Sequence, residues 1–319
     1  MNEYFKFARK LALFAALFAV AMAIVVHMPT SYSHPLSAII DKHRLLQHAD
    51  SPKIVLIGGS GIYFGLDSQS LSEEFGCDVV NMGLFAGFGL RFLFETCEDE
   101  IDSGDVVVII PEYDMFDEAS LGKIESAARL WLIPISPLLY FRHLDSAGDF
   151  VFDISKLIFY KRSTFLKNLI HLKFDVLFKN GLKDFYEKNN EFGDAVVDPF
   201  ERLAPEDLEG YGRRLVFELD EDSWSFFSDF INEINSRGAT AILIYQAFPT
   251  DEYESNRRAI DMLDRRLSEI EGLIVPSPPS RYVFPYKRFT NTVNHLDSEG
   301  LVVRTALVVD DLSEIIGRK

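Results

Sequence analysis

The sequence predicts an α/β fold of three layers, a parallel five-stranded sheet with helices on both faces, carrying a large helical, aromatic-rich insertion. Three observations lead there. Short apolar runs that stop at glycine or a polar residue alternate with segments of helical period, and that alternation implies a parallel sheet joined by crossover helices. The runs are rich in β-branched residues along their whole length, as strands buried on both faces are. The rhythm breaks after the third run and resumes late in the chain, so one domain is split by an insertion.

The elements follow in order. Lys53 to Gly59, Asp78 to Gly83 and Asp105 to Tyr113 (DVVVIIPEY) read as the first three strands, with helices at about Ser68 to Phe75 and Leu90 to Ile101 between them. Later, Trp224, Phe227, Phe230, Ile231 and Ile234 fall at helical spacing, and Gly238 closes that helix before the strand ATAILIYQA (Ala239 to Ala247). A helix from Asp251 to Ile270 precedes a fifth strand at Gly272 to Pro276. A last helix, about Ser298 to Ile316, turns Leu301, Thr305, Val308, Leu312 and Ile315 inward. The insertion, residues 117–221, opens with the proline-interrupted apolar stretch LWLIPISPLLYF (Leu130 to Phe141), suited to an interface or a pocket wall. It continues into a basic stretch from Lys156 to Lys188, read as a solvated face or a site for anionic lipid or polymer.

The N-terminus carries Lys6, Arg9 and Lys10 before LALFAALFAVAMAIVV (Leu11 to Val26), which has neither charge nor proline. A bilayer span takes about 20 helical residues, so the run is short for a span and long for a signal-peptide core. The small-x-small site Ala21-Met22-Ala23 lies inside the run, which favours an uncleaved anchor. The basic flank places the N-terminal end in the cytoplasm and the rest outside it, at an inner or cytoplasmic membrane. Residues 1–28 are therefore expected to be the anchor or signal segment, 29–52 a stalk with a short amphipathic stretch, and 53–319 the α/β domain. A formal charge of -17 argues against a nucleic-acid partner, which needs clustered Lys and Arg. The two cysteines, Cys77 and Cys97, are read as free buried thiols or as a bridge, which an exported compartment permits.

Ligands of open parallel sheets bind outside the carboxyl ends of the strands. Ser60 follows the first strand through Gly58-Gly59, which let the backbone turn sharply and display a hydroxyl. Asn81-Met82-Gly83 ends the second strand, where the Gly83 amide would face the same crevice. Among the seven histidines, His295 precedes the last helix at that edge, with Asp297 or Ser298 as its cap. Ser60 as a turn residue and His295 as a polar residue near a helix start are the plain alternatives.

Gly58-Gly59-Ser60 with Gly65-Leu66-Asp67-Ser68, Asn81-Met82-Gly83 with Gly87, and His295-Leu296 with Gly300 and Arg304-Thr305 together resemble the SGNH (GDSL-like) hydrolase superfamily. The likeness covers about residues 53–113 and 239–316 and is nearest to its membrane-anchored, exported branch. It implies a flavodoxin-like, SGNH-type sheet, Ser60 as nucleophile, His295 as general base, and an oxyanion hole from the Ser60 and Gly83 amides with Asn81. It also implies O-acylation of a polysaccharide or other envelope polymer, with acetyl the expected group, beside a multi-spanning membrane O-acyltransferase. Two departures stand out. The family's third block usually offers an asparagine where this chain reads Pro111-Glu112-Tyr113-Asp114, with Glu112 and Asp114 expected to be structural or substrate-orienting. The acid that orients the histidine is replaced by Asn291 or Thr292.

An asparagine in that place loses the charge that stabilises the imidazolium, yet Cys-His-Asn sites work. Asn291 is thus the expected orienter, with Asp297 and Asp114 as the alternative carboxylates. The leading expectation is an exported, membrane-tethered acyl transferase or esterase that needs no cofactor and no metal. The competing one is a catalytically impaired SGNH-like binding or scaffold protein. A phosphate binder using Gly58 to Gly61 as a cradle lacks a Walker lysine and GxGxxG.

Overall fold

A computed structural model describes residues 2–27, 38–170, 189–196, 202–217 and 219–317. In chain order its strands are β1 (Ile54–Gly58), β2 (Val79–Asn81), β3 (Val106–Ile110), β4 (Thr240–Leu243), β5 (Phe248–Pro249), β6 (Leu273–Ile274) and β7 (Val283–Phe284). Five of them make one parallel sheet in the order β2-β1-β3-β4-β6, and β5 pairs with β7 separately. The order is that of a flavodoxin-like sheet: the chain leaves β1 for β2 on one side and then crosses to β3 on the other. β1 and β3 are buried along their whole length, as their unbroken runs IVLIG and VVVII require.

The helices are α1 (Asn2–His27), α2 (Ala38–His48), α3 (Ser60–Tyr63), α4 (Ser68–Phe75), α5 (Leu90–Cys97), α6 (Glu118–Leu121), α7 (Ser126–Arg129), α8 (Leu132–Ile135), α9 (Pro137–Arg142), α10 (Ala147–Ile170), α11 (Glu221–Ser236), α12 (Thr250–Ser268) and α13 (Ser298–Ile316). Asp67, Asp220 and Asp297 cap α4, α11 and α13 by accepting from the amides of Ser70, Ser223 and Gly300. Gly238 ends the α11 turn at φ 80°, a backbone region that favours glycine. α5 packs against β1 and α11, where the Phe94 and Phe230 rings stack with centroids 4.0 Å apart; α4 packs on β2 and α13. The sheet is therefore flanked by helices.

Among the described residues, helices α6 to α10 occupy the first part of the stretch between β3 and α11, where the rhythm was lost. Arg129 donates to Asp153 at 2.8 Å inside it, and Trp131 and Tyr140 are buried. Much of the basic stretch from Lys156 to Lys188 lies outside the described residues. One expectation is corrected. Residues 38–48 are no free stalk: Ile39 and Leu46 of α2 enter the core, and buried Lys42 donates to the carbonyls of Asn81 at 2.8 Å and Gly193 at 2.6 Å. Cys77 and Cys97 form no bridge, in keeping with the thiol reading of the two. Among the described residues no helix is long and apolar enough to cross a membrane.

Candidate functional site

The register of β1 and β3 assembles the site. Gly58 pairs with Ile110, so the residues two places beyond, Ser60 and Glu112, come side by side where the sheet order switches. Ser60 opens α3, and its Oγ lies 3.0 Å from Glu112 Oε1. A Cβ on Gly58 would meet the Ile110 carbonyl oxygen at 2.2 Å, and one on Gly59 would meet Glu112 Oε1 at 2.6 Å. The glycine pair thus lets the strand end and the Glu112 carboxylate approach the serine turn.

α13 secures the same turn from below. Arg304, fully buried, donates from Nη1 to the Gly61 carbonyl at 2.7 Å, and the Asp67 amide donates to Thr305 Oγ1 at 3.1 Å. Burial pulls the Arg304 guanidinium down to about 10, which leaves it charged at neutral pH.

The loop before α13 carries the base. Phe289 bridges to Leu296, the Thr290 amide donates to the His295 carbonyl at 3.0 Å, and the His295 amide donates to Thr292 Oγ1 at 3.1 Å. This fold-back sets Asn291 against His295, with Asn291 Oδ1 at 3.0 Å from Nδ1. The other ring nitrogen, Nε2, lies 2.8 Å from Ser60 Oγ. An amide oxygen accepts and cannot donate, so Nδ1 carries the hydrogen and Nε2 is left to accept from the serine. Phe64 covers one side of the imidazole, with ring centroids 4.8 Å apart, and burial holds His295 down to about 4. At neutral pH the ring is an uncharged base touching a serine hydroxyl, the arrangement that general-base activation of a nucleophile requires.

Ser60, His295 and Glu112 stand in the wall of a cavity of about 620 Å³ whose remaining wall is mostly apolar, from Tyr63, Phe64, Leu84, Phe85, Phe248 and Val293. Gln246 and Arg213 supply polar groups there, and Arg213 is held by Asp114 at 2.8 Å. A concave apolar pocket with a few convergent polar groups is the usual form of a small-molecule site.

The remaining expectations divide. Asn291 sits where the orienter of His295 was expected. Asp297 instead caps α13 and accepts from Arg202 at 2.6 Å, and Asp114 pairs with Arg213, so neither carboxylate reaches His295. Gly83 and Asn81 are not brought to the cavity. The Gly83 amide donates to Asn81 Oδ1 at 2.9 Å, while fully buried Asn81 donates to the Ile62 carbonyl at 3.0 Å and to Asp194 Oδ1 at 2.8 Å. The amide beside the serine is that of Gly61, which donates to Glu112 Oε1 at 2.7 Å.

Sequence reasoning undervalued Glu112, which is 3% exposed and also accepts from Asn294 Nδ2 through Oε2 at 2.9 Å. No local sequence signal marks it: a carboxylate two residues past β3 meets a serine two residues past β1 only once the two strands pair in register. Among the described residues no His, Cys, Asp and Glu group is arranged to hold a metal ion. No known protein-family profile matches this chain, and no curated protein matches its sequence.

Proposed function

We propose that the chain is a serine-dependent acyl transferase or esterase of SGNH type. The observation that carries this reading is the continuous relay from Asn291 through His295 to Ser60 at the wall of the apolar cavity. Ser60 Oγ attacks an ester carbonyl carbon as its proton passes to His295 Nε2, and the carbonyl electron pair moves onto oxygen. Collapse breaks the bond to the leaving alkoxide, which takes the proton from Nε2 and leaves acyl-Ser60. An acceptor hydroxyl, from a sugar or from water, then gives its proton to Nε2 and takes the acyl group, and Ser60 recovers its hydrogen.

The aromatic wall of Tyr63, Phe64 and Phe85 suits the face of a sugar ring, and buried Gln246 Oε1, without a hydrogen-bond partner among the described residues, suits an acceptor hydroxyl. An O-acetylated polysaccharide or other envelope polymer fits both features. The tether reading rests on α1, where Tyr4, Phe5, Phe7, Leu11, Leu13, Phe14, Leu17 and Phe18 are all exposed. Leu138, Phe141, Val151, Phe152 and Phe159 are likewise exposed on α9 and α10, and α1 packs against α8 and α10. An apolar surface of this extent beside a basic N-terminus suits a membrane and a multi-spanning O-acyltransferase partner.

A second reading, a binding or scaffold module, has one observation in its favour: an ionised Glu112 beside Ser60 would repel a developing oxyanion. Turnover of p-nitrophenyl acetate separates the two. The acyl-transfer reading expects hydrolysis that Ser60→Ala and His295→Ala each lower by at least about 10²-fold. Rates equal to those of the variants would leave the binding module.

A further inference from the structure

The hydrogens of the site do not balance unless one more proton is present. Ser60 Oγ has one hydrogen and two acceptors in reach, His295 Nε2 at 2.8 Å and Glu112 Oε1 at 3.0 Å. With Nδ1 of His295 already donating to Asn291, both contacts are hydrogen bonds when an added proton sits on Glu112 or on Nε2. Placed on Glu112, it gives a chain from the carboxyl O–H to Ser60 Oγ and from the Ser60 hydroxyl to His295. That is the direction in which the serine must lose its proton. Placed on Nε2, it reverses the chain and removes the base.

Of the two carboxyl oxygens it is Oε1 that reaches Ser60 Oγ, so a proton donated to the serine sits there; Oε1 also accepts from the Gly61 amide at 2.7 Å through a remaining lone pair, and Oε2 accepts from Asn294 Nδ2. The Gly61 amide belongs to the residue after the nucleophile, a usual donor to an acyl oxygen as it becomes negative. We infer that Glu112 serves this site as a carboxylic acid: its O–H aims the Ser60 hydrogen at His295 and then donates to the tetrahedral oxyanion, and its ionised form shuts the site.

Burial pushes Glu112 up to about 7, and the nearby Asp114 charge adds to it; the Gly61 and Ser60 hydrogen bonds and the Arg304 charge act the other way. The charged and titratable groups around Glu112 are therefore Asp114 with its partner Arg213, Arg304 from α13, and His295 from the preceding loop. With His295 held low by burial, the shared proton resides on Glu112 at mildly acidic pH. A neutral carboxylic acid donating to an oxyanion has precedent in buried enzyme sites.

This inference rests on the acyl-transfer reading, and one experiment tests the two separately. The full chain in detergent is labelled with a fluorophosphonate between pH 4 and 9, and the rate of adduct formation on Ser60 is followed by intact mass for wild type, Glu112→Gln and Ser60→Ala. The wild-type rate should fall about tenfold per pH unit above pH 7, as the acid ionises. Glu112→Gln, whose amide donates at every pH, should lose that fall and exceed wild type about tenfold at pH 8. A wild-type rate that climbs through pH 8 to a plateau overturns the role of Glu112 and leaves the reactive serine standing; this profile decides alone should the Gln variant not fold. No labelling of Ser60 at any pH overturns both readings.

Discussion

His295 is held in its working tautomer by an amide in place of a carboxylate, and this sets its expected pH behaviour. Asn291 Oδ1 accepts from Nδ1 but adds no negative charge, and burial keeps the ring neutral down to about pH 4. Asn291→Asp should stabilise the imidazolium and move the acid limb of kcat/KM upward from near pH 4; an unmoved limb would show that residue 291 does not govern the ring. Asn291→Ala, which frees the tautomer, should cost about 10²-fold or more in kcat/KM without changing the fold, as circular dichroism would check. The same depressed pKa bears on stability. Below its ordinary value of about 6.5 the unfolded chain binds a proton that folded His295 refuses until about pH 4. Stability should therefore drop by up to about 3 kcal/mol as pH falls through that window, and by that much less in His295→Gln, measured as urea midpoints at pH 7 and pH 4.5. Ser60 and His295 were legible in sequence from local punctuation, glycines after a strand and a polar loop before a capped helix, whereas Asn291 followed only from the family resemblance. Gly83 was misread because its amide is turned away by a side chain two residues back, a contact that spacing cannot show.

At the scale of elements, β1 and β3 bring the chemistry together, and β2 with its surroundings supports them. Asn81 closes β2 within a buried polar cluster: it joins Ile62, Gly83 and Asp194, and Asp194 in turn accepts from the amide and hydroxyl of Ser68 at the start of α4. Asn81→Leu takes the Asn81 partner from the Gly83 amide and the Ile62 carbonyl, away from water, and one of two donors from Asp194 Oδ1. It should destabilise the fold by about 2–4 kcal/mol in urea unfolding, whereas a change within about 0.5 kcal/mol would mean the cluster is dispensable. The strands and helices were legible because period and capping are local signals: Ser68–Phe75 and Ser298–Ile316 were read to the residue. The partnership of Ser60 with Glu112 was not, since it depends on which strands lie adjacent, and the switch from β2 across to β3 is a property of the sheet.

Across the whole molecule, the crevice at Ser60, the inserted helices and α1 belong to one chain whose apolar exposure is concentrated at the N-terminus and in α9 and α10. Phe141 and Phe150 stack with centroids 6.2 Å apart at that surface. If this face meets a bilayer, an environment-sensitive dye on Leu138→Cys or Phe152→Cys, in a background lacking Cys77 and Cys97, should shift to the blue when the full chain is reconstituted into vesicles. The same dye on Met262→Cys, exposed on α12 of the α/β domain, should not. Equal shifts at all three positions would remove the proposed membrane face.

Whether Ser60 is an activated nucleophile is tested most directly by intact-mass spectrometry of the full chain after fluorophosphonate treatment at pH 6. The relay from Asn291 through His295 predicts a single adduct on Ser60 that is absent from Ser60→Ala and lost in His295→Ala. A folded protein that takes up no adduct, or whose His295→Ala variant reacts as fast as wild type, would contradict it.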